Sequence, residues 1–251
     1  MEHNVIRKDK KIAEVKTAYL EETPILNYKE PSIQSLIMER AWMDLEEVER
    51  VKSIYSFVRD EIKFGYNRSD DIVATKVLQD GYGQCNTKAT LLMALLRACH
   101  IPNRIHGFTI DKALQKGAIK GVWYKLAPKN ILHSWVEVQL MDEWYFLEGV
   151  ILDKPYLKAL QNEFRNCGAS FCGYGAYTED FLNPRIDFEL NNTFIQEKGI
   201  NQDFGVFNNP DAFYSKHQQN LPFTKRMIYE NLVRFLMNKN VDRIRRKGDK
   251  R

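Results

Sequence analysis

The stretch "GYGQCNTKATLLMALLRACHIPNR", residues 81–104, constrains this chain more than any other. Ala89, Leu92, Met93 and Leu96 recur at spacings of three and four, flanked by Leu91, Leu95 and Cys99. That pattern predicts a helix with its broad face buried. Pro102 ends it. The start lies at or near Cys85, behind a loop in which Gly81 and Gly83 leave no side chain to block an approaching molecule. The first amides of a helix have no partner inside it, and with the macrodipole they favour negative charge. A thiol so placed ionises more readily, and the same amides can hold an oxyanion formed when sulfur attacks a carbonyl.

A thiolate nucleophile needs a proton acceptor that later acts as a donor, and imidazole suits both roles near neutrality. The chain has five histidines: His3, His100, His106, His133 and His217. Only His133 opens a well-patterned strand. In "HSWVEVQL", residues 133–140, Val136, Val138 and Leu140 face one way and His133, Trp135, Glu137 and Gln139 the other. "MDE" makes a turn, and "WYFLEGV", 144–150, reads as the antiparallel partner. Glu148 on that partner can orient the imidazole across the hairpin.

The rest of the pattern fits an α+β chain. Val48, Val51, Tyr55, Val58 and Ile62 predict helix within 33–63; "DIVATKVLQD" predicts a short helix stopped by Gly81; and "RIHGFTI" predicts a strand. Residues 111–130 read as a loop long enough to be functional or mobile. Segment 164–214, rich in Gly, Asn and aromatics, reads as either a lid over the Cys85 groove or a satellite cluster on the sheet. A last helix is expected near 222–238.

Composition excludes several classes. With 251 residues, 44% hydrophobic and 28% charged, the chain is globular with an ample core. No apolar run of 18 residues predicts a membrane span, and the charged N-terminus lacks the apolar stretch of a secretory signal. Four cysteines, Cys85, Cys99, Cys167 and Cys172, are too few for a disulfide framework, which suggests a reducing, cytoplasmic setting. Their spacings do not suit zinc, so neither metal nor other cofactor is expected. The net charge of +4 comes from "KNVDRIRRKGDKR", 239–251, which carries +5 and leaves the remainder at −1. That tail reads as a solvated end, and without a basic face nucleic acid is not an expected partner.

Taken as a set, these motifs resemble the transglutaminase-like superfamily over residues 45–155. The carriers are Gly83 and Cys85; Leu95, Leu96, Arg97, Ala98, Ile101, Pro102 and Arg104; His133 and Trp135; and Trp144 and Glu148, with the upstream helix "VKSIYSFVRDEIKF". The resemblance implies a papain-related fold in which N-terminal helices, with the nucleophile at a helix start, pack on an antiparallel sheet carrying histidine and acid. It implies Cys85 as nucleophile, His133 as general base and acid, and Glu148 as orienting carboxylate where the family usually has Asp, with Asp153 as the fallback. The family often adds a side-chain oxyanion donor, commonly Trp, upstream of the cysteine. None stands there, and Gln79, Gln84 and Tyr66, with Trp135 as a site wall, are the candidates for oxyanion or substrate contact. The implied organisation is an extension over 1–32, a catalytic core over 33–160 and a covering extension over 161–251. The implied chemistry is acyl transfer from a peptide, protein or small amide through a thioester. Hydrolysis is expected, with transamidation to an amine as the alternative and a non-catalytic binding scaffold as a second.

Overall fold

The computed structural model describes residues 17–219 and 221–248. Helix α1 (Pro31–Glu39) begins on a proline at the first turn, where its missing N–H costs nothing. The single helical stretch expected from 33 to 63 is broken at Ala41, whose φ of 50° is left-handed. A short 3-10 turn, Trp42–Asp44, follows, and α2 spans Glu47–Asp60. The break buries Trp42, whose indole N–H donates to Ser53 Oγ at 2.9 Å.

Strand β1 (Lys63–Phe64) then leads to α3 (Ala74–Asp80). The helix ends at Gly81, whose φ of 66° is the left-handed C-terminal stop that glycine adopts without strain. Strand β2 (Tyr82–Gly83) pairs parallel with β1 and delivers the chain to α4 (Cys85–Ala98), so the strongest helix starts on the cysteine itself. A Cβ at Gly83 would lie 2.7 Å from Thr87 Oγ1 and 2.9 Å from Lys88 Cγ, so no larger residue fits this entry.

The main sheet holds β3 (Asn103–Asp111), β4 (Asn130–Leu140) and β5 (Glu143–Phe146), with a fourth strand from later in the chain. Between β3 and β4 the expected loop contains a 3-10 turn and α5 (Gly121–Leu126). After β5 come α6 (Lys154–Glu163), the small hairpin β6 (Phe171–Gly173) and β7 (Ala176–Thr178), and then β8 (Ile200–Phe207). The sheet order β5-β4-β3-β8 is antiparallel throughout. Helix α4 packs across β4 and is flanked by α2 and α3. Val136 and Val138 on β4 share one core with Leu91, Leu92 and Leu95 of α4, all fully buried.

The chain closes with α7 (Pro210–Lys216), α8 (Phe223–Ile228), a π-helical turn at Tyr229–Val233, and α9 (Arg234–Gly248). One apolar core runs from Leu26 to Ile244. The basic tail read as a solvated end is helical through Gly248 and buries Val241, Ile244 and Arg245; Asp249–Arg251 lie outside the described residues. The reason is chemical. Arg245 donates to both oxygens of buried Asp153, at 3.0 and 2.8 Å, and to the Phe64 carbonyl at 2.9 Å. Among the described residues, no helix is long and apolar enough to cross a membrane.

Candidate active site

The start of α4 is fastened to β4 beside His133. Asn86, next to Cys85, donates from Nδ2 to the Leu132 carbonyl at 3.0 Å and accepts from Ser134 Oγ at 2.9 Å. Leu132 and Ser134 flank His133. These two bonds hold the cysteine and the histidine in register across two elements that are 48 residues apart in sequence.

The entry loop is equally constrained. The Gln84 N–H donates to Thr87 Oγ1 at 3.0 Å, as in a capping box. Thr87 donates in turn to Asn67 Oδ1 at 2.6 Å. Gln84 accepts from the Asn67 N–H at 2.8 Å and donates to Asp70 at 3.1 Å. The Cys85 N–H, at the first position of the helix, has no carbonyl a turn earlier to bond.

His133 is fully buried, and its Nε2 lies 2.8 Å from Glu148 Oε1. Glu148 is also fully buried, and its Oε2 accepts three backbone amides: Ile195 and Gln196 at 2.8 Å and Glu197 at 3.0 Å. Three donors therefore converge on one oxygen and fix the carboxylate's position. The other imidazole nitrogen, Nδ1, has no hydrogen bond of ordinary geometry, and the Cys85 thiol lies close enough to act on it. Burial alone would push the imidazole pKa down. The charge of Cys85 and its hydrogen-bonding reach, and then Glu148, outweigh burial and raise it to about 10. The arrangement sets a thiol beside an imidazole whose other nitrogen is held by a carboxylate.

No other histidine among the described residues competes for this role. His106 is bracketed by Glu137 at 2.7 Å and Asp203 at 2.8 Å; His217 stacks on Phe204; His100 caps the far end of α4 with φ 62°. His3 lies outside the described residues.

A cavity of about 270 Å³ opens on Cys85. Gln84 and Tyr66 line it, and Tyr66 is buried with its hydroxyl donating to Gln115 Oε1 at 2.9 Å. The other two contact candidates fall elsewhere. Gln79 is on the outer side of α3, exposed, and accepts from Lys76 at 3.3 Å, because only the opposite side of that short helix meets the core. Trp135 shares the His133 face of β4 but packs into an aromatic cluster, 4.2 Å from Phe108 and 5.6 Å from Phe146 by ring centroid, and does not reach the cavity. Asp153 does not orient His133 either. It caps α6 through the Tyr156 N–H, accepts the Phe64 N–H at 2.8 Å and pairs with Arg245.

Segment 164–214 contributes Gly175, Gln196 and Tyr214 to the cavity, but much of the lining comes from residues 218–237 and from the 111–130 stretch that reads as a loop in sequence, with Ile110, Ile131 and Leu132 beside it. The amide cradle at 195–197 has no periodic signal that could reveal it; helix near 222–238 is expected from sequence, but its place over the cavity is not. Among the described residues, no group of three or more His, Cys, Asp or Glu could hold a metal ion.

The link between the acid and its cradle is tight. Gly149 follows Glu148, and a Cβ there would lie 2.7 Å from Tyr55 Oη, 2.9 Å from the Ile186 Cα and 2.9 Å from Thr193 Cβ. Gly149→Ala is expected to destabilise the fold by about 1–3 kcal/mol through overpacking against backbone. A thermal melt should show a midpoint lower by about 2–4 °C for each kcal/mol lost. An unchanged midpoint would mean that the 186–193 segment yields freely.

Residues 38–149 match the family model of the transglutaminase-like superfamily, the segment in which the motifs resembling that superfamily lie. Its mixed helix and antiparallel-sheet architecture is the transglutaminase-like, papain-like fold. The match supports cysteine-enzyme chemistry in general. No curated protein matches the chain. One solved structure that resembles it is a "putative cysteine protease" from Cytophaga hutchinsonii, at 12% identity and a TM-score of 0.46, covering 78% of this chain and 48% of the other. The chain thus spans about half the length of that protein.

Proposed function

We propose that the protein cleaves an amide or peptide bond through a thioester on Cys85. The observation that carries this reading is the fastening of the Cys85 helix start to β4 by Asn86, which sets the thiol against a His133 ring held by buried Glu148. In this mechanism the Cys85 thiolate attacks the carbonyl carbon. The developing oxyanion is held by the Cys85 N–H at the helix start. The C–N bond then breaks as the His133 imidazolium gives its proton to the departing amine. Water attacks the resulting thioester while His133 takes its proton. The C–S bond breaks, and acid and thiolate are released with the imidazolium restored.

Hydrolysis is favoured over transfer to an amine because the acyl group must occupy the cavity that opens on Cys85, and water is the acceptor that needs no further room. Turnover of an amide panel with and without an added primary amine, followed by mass spectrometry, tests this. The free acid should dominate in both. A product bearing the added amine as the main species would replace hydrolysis by transamidation. No dependence of any turnover on Cys85 would leave a binding scaffold.

The pH dependence follows from the raised imidazole. A folded-state pKa above the ordinary 6.5 means that the imidazolium persists below the folded value and is lost as pH rises through about 10. Since C–N cleavage needs that proton, kcat/KM for an amide should hold past neutrality and fall only on approaching pH 10. An alkaline limb near 6.5 would mean that the ion pair is not formed.

A further inference from the structure

The cavity beside Cys85 has chemistry that the triad does not use. Its wall includes Ile110, Ile119, Trp123, Leu126 and Leu132, which offer an apolar surface. Three acidic residues, Asp70, Asp71 and Glu230, also line it, and their circumstances differ. Glu230 is already neutralised, with Arg68 and Arg226 each at 2.8 Å. Asp70 has no ion pair among the described residues; Gln84 Nε2 donates to its Oδ1 at 3.1 Å. Burial in the wall penalises its charge and raises its pKa, with Gln84 and Asn86 only partly offsetting this. The carboxylate in that position has no cation paired with it directly, and His133 acts on it only through space.

A second group lining the cavity is an acceptor without a donor. Gln196 is 4% exposed. Its Nε2 is committed to the Gly175 carbonyl at 2.5 Å, which fixes the amide's orientation, and its Oε1 has no partner. Leaving a buried acceptor unmade is costly, so such atoms in native folds await a ligand or water. The backbone N–H of the same residue is one of the three that hold Glu148. A ligand touching this side chain therefore sits beside the catalytic carboxylate.

Resting on the cysteine-hydrolase reading above, we infer that the site selects acyl donors carrying a free amino group, the ammonium being held by the Asp70 carboxylate with the Gln196 carbonyl oxygen as a further acceptor. The apolar wall takes the remainder of the acyl group. The substrate class is then aminoacyl amides or peptides with an unblocked amino end, rather than the interior of a long polypeptide.

Two measurements on the full chain test this. The first compares leucine 4-nitroanilide with its N-acetyl derivative. Wild type should favour the free amine by tenfold or more in kcat/KM, and Asp70→Asn should lose most of that ratio, since hydrogen bonds to a charged group carry much of such discrimination. Equal rates for the pair in wild type, or an equal loss for both substrates in Asp70→Asn, would overturn the inference.

The second measurement is independent of turnover. Cys85 alkylation by cationic 2-bromoethylammonium, neutral iodoacetamide and anionic iodoacetate is referenced to glutathione. The cation-to-neutral ratio should fall by about tenfold in Asp70→Asn, and in wild type it should fall with added salt as the charge is screened. A ratio indifferent to both overturns the inference. The wild-type salt series stands even if the variant does not fold. If neither anilide is turned over while the alkylation ratio behaves as stated, amide hydrolysis fails and the amine site stands.

Discussion

Glu148→Gln is expected to lower kcat by about 10³–10⁴ while leaving the fold in place, the scale of loss when an orienting carboxylate becomes an amide. The structure dictates how. Three backbone amides converge on Glu148 Oε2, so the carboxamide oxygen must occupy that position, and its NH₂ must face His133. The amide then donates to Nε2. The only neutral tautomer left carries its proton on Nδ1, the nitrogen that faces Cys85, and cannot take the thiol's proton. The same variant should slow Cys85 alkylation at neutral pH, because the imidazolium that stabilises the thiolate is lost. Circular dichroism and a melt separate this from unfolding. A loss within tenfold would mean that the carboxylate only holds the ring's position.

Arg245→Met should produce the largest stability loss. Its guanidinium pairs with Asp153, which is 1% exposed, and satisfies the Phe64 carbonyl. Removing one partner of a buried pair leaves the other uncompensated, at about 3–5 kcal/mol. The thermal midpoint should fall by roughly 6–20 °C in a chain of this size. Adding Asp153→Asn should recover part of the loss, because the stranded charge goes with it. The pair also sets an acid limb. Burial alone would raise the Asp153 pKa, but the hydrogen bonds and charge of Arg245 outweigh it and hold it below the ordinary 3.8. Its stabilisation is therefore full above that value and lost as pH falls through the lower folded one. Since α9 runs on from the segment that covers the cavity, the variant should also expose Cys85 to larger alkylating reagents. A midpoint within 2 °C of wild type would show that the helix is held by its apolar face alone.

Much of the site can be read before folding because its parts are local. Cys85 is marked by a glycine-bounded helix start, and His133 by the first position of an alternating strand. Glu148 is placed by a short turn that brings the next strand back. Each is a property of a few consecutive residues, set by backbone sterics and by periods of 3.6 and 2. Gln79 and Trp135 show the limit of that reasoning. Both are near Cys85 or His133 in sequence, yet the side of α3 that is buried and the aromatic partners of β4 decide that neither meets the cavity.

What the sequence determined by itself is the cysteine at a helix start, the alternating strand with its histidine, and the acid one turn away. Tertiary structure alone decided that the amides of residues 195–197 would hold that acid, that Asp153 would be spent on Arg245, and that residues 218–237 would cover the cavity. The physical reason is that backbone amides look alike in every sequence, and an ion pair 92 residues apart leaves no periodic trace. Such contacts exist only once the chain has closed on itself.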